Sequence, residues 1–132
     1  MGRNAGRENN LMEDKMKLEG TGKLLRIFIG EEDHLNRKPL YQVFVERAKE
    51  FGLAGATVLR GVESYGATSR IHTAKLLELS EDLPLVIEIV DTEEKIDSFL
   101  PIVTELFEKA GCGGMVTEEK ATVIHYTPGK TP

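Results

Sequence analysis

The hydrophobic positions change their period along the chain, and this predicts a succession of strands and helices. Residues 23–29, KLLRIFI, alternate between two faces, as the residues of a half-buried strand do, and Gly30 ends this strand. One face carries Leu25, Ile27 and Ile29, and the other carries Leu24, Arg26 and Phe28. The chain therefore opens its folded part with a strand.

Three further strands are predicted downstream. One covers residues 57–64, and a nearly continuous apolar run forms another at 85–90. The last strand comprises residues 115–118 and 121–126, with a small hairpin turn at Glu119.

The first helix is predicted from apolar residues that recur every three or four positions after Pro39. Proline suits a first helical turn, since its missing N–H would have no helical partner there, and Gly52 ends the helix. Its apolar side chains are Leu40, Val43, Phe44, Ala48 and Phe51.

The second helix is predicted to begin at Asp91 or Thr92, with Asp91 and Glu94 forming a capping box. Pro101 predicts a bend or a late start of the regular helix, and Gly111 ends it. Its apolar side chains are Ile96, Phe99, Leu100, Val103, Leu106, Phe107 and Ala110.

The predicted order of elements is β-α-β-β-α-β. Two helices on one face of a four-stranded antiparallel sheet would bury the apolar face of each element. We therefore expect an α+β fold, a ferredoxin-like βαββαβ sandwich.

Composition narrows the classes of protein. A length of 132 residues with 40% apolar residues is typical of one soluble domain with one core. The 17 basic and 22 acidic residues give a net charge of −5, which argues against a nucleic-acid partner. No apolar run approaches the ~20 residues of a membrane span, and the N-terminus lacks an apolar signal core. We expect a cytoplasmic protein without membrane insertion.

The two ends of the chain are predicted to lie outside the domain. Residues 1–19 are polar and lack sustained periodicity, so we expect a disordered tail, a vector remnant or an upstream start. The domain covers residues 20–128, and residues 129–132 form a second loose end.

The long segment between the second and third strands, residues 66–83, combines polar residues with leucines. Long loops in small domains are usually functional. Its hydroxyl, guanidinium, imidazole and ammonium groups would suit an anion or a partner protein, whereas a solvated loop would also need polar residues. These groups belong to Ser69, Arg70, His72 and Lys75.

A glycine-rich loop, Gly-Cys-Gly-Gly at 111–114, follows the second helix. Glycines permit positive φ angles and a close approach of the backbone, so consecutive amides could form an anion-binding nest. A helix end with a flexible turn requires only one of the three glycines. Both interpretations remain open at this point.

The sequence gives little support for a catalytic site or a metal site. The single cysteine, Cys112, excludes an intrachain disulfide, and no signature joins it to a histidine, so a structural thiol is expected. The histidines are too scattered for a metal site, and acidic residues are common on solvated loops. The residues concerned are His34, His72, His125, Glu31, Glu32 and Asp33. We expect a protein that is not an enzyme and has no metal site.

Long segments between residues 17 and 126 include GTGKLLRIFIGE, KPLYQVFVERAKEFGLAGATVLRG, SRIHTAKLLELSEDLP and VIEIVDTEEKIDSFLP. These segments resemble a PII-like family of uncharacterised prokaryotic proteins, within the superfamily of PII signalling proteins and CutA-like proteins. The resemblance implies a ferredoxin-like domain that forms a homotrimer. It also implies adenine nucleotides bound between subunits and a partner-binding loop between strands two and three.

By position, the resemblance implies ligand contacts at three places. These are strand two, the close of that strand, and the loop and strand start that correspond to a Gly-Asp-Gly-Lys phosphate loop. The residues are Thr57; then Ser64, Tyr65 and Gly66; then Gly111, Gly113, Gly114, Met115 and Val116. The loop at 66–83 corresponds to the partner-binding loop.

The chain departs from the PII pattern in its cations. Gly114 replaces the phosphate-binding lysine, and Ile124 and Tyr126 stand where PII proteins present arginines. Each charge-assisted contact contributes ~1.5–3 kcal/mol, so a triphosphate is disfavoured and AMP is favoured over ATP. Further anion or partner contacts are expected at Arg60, Ser69, Arg70, His72, Lys75 and Lys120.

The favoured hypothesis is a non-enzymatic trimeric sensor that regulates a partner protein, conceivably a membrane transporter, through the loop at 66–83. One alternative is a CutA-like metal-binding trimer that uses the acidic loop or His72 and His125. Another is an ACT-like module that binds a small molecule, because ACT domains share this order of elements.

Overall fold

The computed structural model describes residues 18–65, 71–73 and 83–129. In chain order the elements are β1 (Gly20–Gly30), β2 (His34–Leu35), β3 (Lys38–Pro39), α1 (Leu40–Phe51), β4 (Thr57–Arg60), β5 (Glu63–Tyr65), β6 (Ile71–Thr73), β7 (Pro84–Thr92), α2 (Glu93–Ala110) and β8 (Met115–Val123).

The main sheet has the strand order β4-β7-β1-β8, and every neighbouring pair is antiparallel. Strand β1 pairs with β7 on one side and with β8 on the other, so Ile27 lies between Ile87 and Val116. Helices α1 and α2 pack on one face of this sheet. The predicted α+β ferredoxin-like fold is confirmed.

The core lies between the helices and the sheet. Leu25, Ile27 and Ile87 have no exposed area, and neither do Phe44 of α1 and Phe99 of α2. Burial of each such side chain contributes ~1.5–3 kcal/mol. The predicted alternation of β1 is confirmed, since Leu25, Ile27 and Ile29 are its buried residues on the helical side.

The opposite face of the sheet, which we call the open face, carries the alternate residues of the same strands. One row across it is apolar from edge to edge, because the register aligns a residue from each strand. This apolar row consists of Leu59, Val86, Phe28 and Met115. Its members are half-buried or exposed, and no described element covers them.

The start of α2 differs from the predicted capping box. Thr92 is the N-cap, and its hydroxyl accepts a hydrogen bond from the Lys95 amide at 3.3 Å. Asp91 is buried on the helical side of β7, where its carboxylate accepts from the Ala54 amide at 2.8 Å. Asp91 therefore joins β7 to the α1–β4 connection. The helix runs without a late start through Pro101, whose ring lies on the exposed side.

The last strand also differs from its predicted form. Strand β8 runs unbroken through Glu119, because it pairs with β1 from Met115 to Val123 and this ladder satisfies its backbone. The predicted hairpin turn at Glu119 is therefore wrong.

The second predicted strand divides into two. Strand β4 pairs with β7, whereas β5 pairs with β6 in a separate sheet, where the backbones of Tyr65 and Ile71 are partners. A two-residue hairpin turn that the sequence did not reveal joins β2 to β3, with Asn36 and Arg37 at φ angles of 50° and 68°.

Candidate functional site

The three glycines of the 111–114 loop differ in their conformation and packing. Gly111 caps α2 in the left-handed region at φ 65°, and its amide donates to the Phe107 carbonyl at 2.9 Å. Gly114 packs so closely that a Cβ there would overlap the Phe107 ring and lie 2.7 Å from the Phe28 carbonyl oxygen. Gly113 has no positive φ angle, and a Cβ added to it would meet no atom within 4 Å. The fold thus requires Gly111 and Gly114, whereas Gly113 lies in open space.

Strand β8 begins beside Gly113. Met115 lies on the open face with 61% of its area exposed, and Val116 lies on the helical side with 38% exposed. The predicted ligand residues at 113–116 therefore form a solvent-accessible strip along one outer edge of the sheet.

Thr57 lies on the opposite outer edge. It is exposed on β4, and the row across the open face runs from Thr57 through Glu88 and Arg26 to Thr117 of β8. Three strand spacings of about 4.8 Å separate the two edges by ~14 Å. One chain therefore does not bring Thr57 and the 113–116 strip together. They could share a cleft only if β4 of one copy lay beside β8 of another.

The segment between β4 and β7 leaves the sheet at a place we call the loop base, formed by Glu31, Arg60, Gly61, Leu83 and Pro84. The amides of Glu31 and Gly61 donate to the carbonyls of Leu83 and Pro84, both at 2.8 Å. A Cβ at Gly61 would lie 2.7 Å from the Pro84 ring, so this close approach requires glycine.

Beyond the loop base, the backbones of Ser64 and His72 pair within the β5–β6 hairpin, next to the pair that Tyr65 forms. The predicted ligand or partner residues Gly66, Ser69, Arg70 and Lys75 lie outside the described residues.

The two described candidate cations differ in their surroundings. Arg60 forms an ion pair with Glu31, the first residue after β1. Lys120 is exposed on β8 and has no ion pair among the residues that the structure describes. Sequence reasoning missed Glu31 as a partner of Arg60, because the two residues are 29 positions apart.

Sequence reasoning also missed a charged cluster at the centre of the open face. The Arg26 guanidinium donates to the carboxylates of Glu88 at 2.9 Å and Glu119 at 2.8 Å. These bonds, to Glu88 first, raise the pKa of Arg26 above its usual range. An arginine inside the apolar run KLLRIFI was the available signal, since a cation on a strand needs a partner on the neighbouring strands.

Cys112 is half-buried against the core. Burial, and then the nearby negative charge of Asp33, raise the pKa of its thiol. A raised pKa lowers the thiolate fraction at neutral pH, which disfavours a nucleophilic role.

The acidic loop at 31–33 has structural partners. Glu31 pairs with Arg60, and the Asp33 carboxylate accepts from the Gly30 amide at 2.8 Å. His125 contacts the Thr127 hydroxyl at 2.6 Å. Within residues 18–65, 71–73 and 83–129, no three metal-ligating side chains come together. A helix of sufficient length and apolarity to cross a membrane is also absent from this described part.

Solved structures of PII-like proteins share this arrangement. One is CPII, a nitrogen regulatory PII-like protein from Thiomonas intermedia K12 bound to ADP, AMP and bicarbonate. It matches with a TM-score of 0.57 and 18% identity, covering 76% of this chain and 86% of that chain. CPII bound to ADP and bicarbonate matches with a TM-score of 0.52 and 19% identity over 76% and 86% of the two chains. The chain therefore has the PII-like form of the ferredoxin-like fold.

The chain belongs to the DUF190 family, described as "Uncharacterized ACR, COG1993", which matches residues 22–123. A UPF0166 protein of Aquifex aeolicus (strain VF5) is 46% identical over 103 residues, which are 78% of this chain and 93% of that protein. A UPF0166 protein of Methanocaldococcus jannaschii is 34% identical over 89 residues, 67% of this chain and 82% of that protein. The predicted membership of an uncharacterised prokaryotic family is confirmed, and its fold is that of PII-like proteins.

Proposed function

We propose that this protein is a non-enzymatic cytoplasmic sensor that binds an adenine nucleotide between subunits of a homotrimer and regulates a partner protein. The observation that carries the proposal is the placement of Thr57 and Gly113 on opposite edges of a sheet whose open face has no described cover. Within one chain the two edges form half-sites, so a complete cleft requires a second copy.

The apolar row supports self-association. Leu59 and Met115 are 47% and 61% exposed at its two ends, and Val86 and Phe28 lie between them. An apolar strip of this kind, flanked by the Arg26 cluster, suits the centre of a protein interface. A ring closes when the β4 side of each copy meets the β8 side of the next copy, because every subunit then uses the same two surfaces.

The ligand is proposed from the chemistry of the half-sites and from the PII-like neighbours. CPII structures contain ADP, AMP and bicarbonate. Gly114 packs against Phe107 at the position of a phosphate-binding lysine, and Arg60 and Lys120 are the described cations among the predicted anion contacts. So few cations favour AMP over ATP, since each further phosphate charge would need its own partner.

The output is proposed at the 66–83 loop, which would engage the regulated partner, a membrane transporter being one candidate. The loop base joins this segment to Arg60 at the β4 edge. A ligand that favours one state of the loop shifts its population by the difference in affinity between the two states.

Calorimetry of the purified protein with AMP, ADP, ATP, cyclic AMP and bicarbonate tests the proposal, together with its mass in solution by light scattering. We expect a trimer that binds AMP more tightly than ATP, with one site per subunit interface. A trimer that binds none of these compounds would refute the nucleotide sensor, and a monomer at all concentrations would refute the shared cleft.

A further inference from the structure

Arg60 and Glu31 form the ion pair of the loop base, and the two side chains are unequally exposed. The Arg60 side chain is 61% exposed, whereas that of Glu31 is 26% exposed. A guanidinium presents five N–H donors, so one carboxylate leaves several of them for a second acceptor. Solute can therefore reach Arg60 while Glu31 holds it.

Glu31 is held more firmly than its partner. Its own amide donates to the Leu83 carbonyl at 2.8 Å, and the turn that follows is closed by the Gly30 amide, which donates to the Asp33 carboxylate. The Asp33 carbonyl in turn accepts from the Leu40 amide at 2.8 Å, which fixes the turn to the start of α1. Arg60 has a long flexible side chain at the end of an edge strand, so Arg60 is the member of the pair that can change partner.

We infer that Glu31 is a built-in competitor of the ligand, whose carboxylate occupies Arg60 until a phosphate of the nucleotide replaces it. This inference rests on the proposed function and adds a residue that regulates ligand binding. A guanidinium binds carboxylate and phosphate with the same planar fork, so the exchange replaces one ion pair by another.

The exchange has a consequence for the loop base. Without Arg60, the loop base keeps its two backbone hydrogen bonds but loses its ion pair. Ligand binding at the β4 edge thereby loosens the loop base, where the segment with the predicted output loop joins the sheet. Occupied and empty sites would thus differ at the origin of the predicted output loop.

The competition is tested with AMP and with adenosine, which lacks the phosphate, on wild type, E31Q, R60Q and the double variant E31Q/R60Q. We expect E31Q to bind AMP about threefold more tightly than wild type, which corresponds to the usual contribution of an exposed ion pair. Its affinity for adenosine should equal that of wild type. R60Q should weaken AMP binding, and in its background E31Q should have no effect. E46Q is the matched control, because Glu46 pairs with Lys38 at 2.8 Å away from the loop base.

A second measurement needs no ligand. Amide hydrogen exchange of Glu31 and Gly61, the two donors of the loop base, should quicken in E31Q but stay unchanged in E46Q. Equal AMP affinities of wild type and E31Q would overturn the competition while leaving the nucleotide sensor intact. A gain in E31Q that persists in the R60Q background, or that extends to adenosine, would also overturn it. AMP binding to none of the variants would overturn the proposed function and the competition with it.

Discussion

The two faces of the main sheet are made from alternate residues of the same strands, yet they differ in how completely the chain satisfies them. On the helical face, Ile27 and Ile87 have no exposed area and pack against α1 and α2. On the open face, the apolar row stays half-buried or exposed, and its ends at Leu59 and Met115 are the most exposed members.

This difference separates stability from assembly. The helical face is complete within one chain, so substitutions there should act on folding at any protein concentration. In the proposed assembly another copy covers the open face, so substitutions there should act mainly on association.

The largest effect is expected on the helical face of β7. Ile87→Ala should lower the free energy of unfolding by about 2–5 kcal/mol, since it leaves a cavity among fully buried side chains. Val86→Ala, one residue away on the open face, should cost the monomer less. Urea unfolding of both variants at two protein concentrations measures these losses. Equal losses of unfolding free energy that do not depend on protein concentration would contradict the difference between the two faces.

The glycine loop gives the second prediction. Gly114→Ala should lower the free energy of unfolding by about 1–3 kcal/mol, because the methyl group would overlap the Phe107 ring and the Phe28 carbonyl. Gly113→Ala, in open space, should change it by less than about 0.5 kcal/mol but should weaken AMP binding. Thermal unfolding and calorimetry separate the two roles. A Gly113→Ala protein that binds AMP like wild type would remove Gly113 from the proposed site.

The apolar row gives the third prediction. Phe28→Ser should raise the dissociation constant of the trimer by about tenfold or more, since large aromatic side chains dominate protein interfaces. Val45→Ser, at a partly exposed position in α1, is the control and should leave the trimer intact. Analytical ultracentrifugation over a dilution series measures both. An unchanged trimer in Phe28→Ser would place the interface elsewhere.

The smallest effect is expected far from both faces. The hydrogen bond that Lys109 donates to Glu105 at 2.8 Å lowers the pKa of that carboxyl. A lowered folded-state pKa contributes stability above the unfolded pKa, and this contribution is lost as the pH falls through the folded pKa. Glu105→Gln should therefore be slightly less stable than wild type at about pH 7, and the difference should vanish near about pH 2. Unfolding midpoints of wild type and Glu105→Gln at the two pH values measure this difference. A difference that stayed the same at both pH values would contradict the prediction.

Local patterns were enough to predict the sheet and its buried face. The alternation in residues 23–29 identified the core residues of β1, because a strand exposes its faces with period two. The helix ends at Gly52 and Gly111 were also predictable, since both glycines adopt the left-handed conformation that favours glycine.

Features that depend on distant partners could not be predicted. Asp91 accepts a hydrogen bond from the Ala54 amide, 37 positions away, and does not form the predicted capping box. Strand β8 is unbroken because β1 pairs along its whole length. The role of Gly114 depends on the Phe107 ring, and that of Arg60 depends on Glu31. The sequence pointed to Thr57 and to residues 113–116, but their separation on opposite edges emerged only from the strand order β4-β7-β1-β8.

The central claim is that a ligand cleft joins the β4 edge of one copy to the β8 edge of the next. Two variants each damage one half-site: Arg60→Glu at the β4 edge and Gly113→Val at the open glycine of the 111–114 loop. Each variant alone should bind no AMP. A shared cleft allows mixed trimers to regain intact sites.

Refolding an equal mixture of the two variants and counting AMP sites by calorimetry tests this claim most directly. Random assembly of a head-to-tail trimer should restore about a quarter of the wild-type number of sites, because each mixed trimer contains one interface with both intact halves. A mixture that forms mixed trimers yet binds no more AMP than the separate variants would contradict the shared cleft.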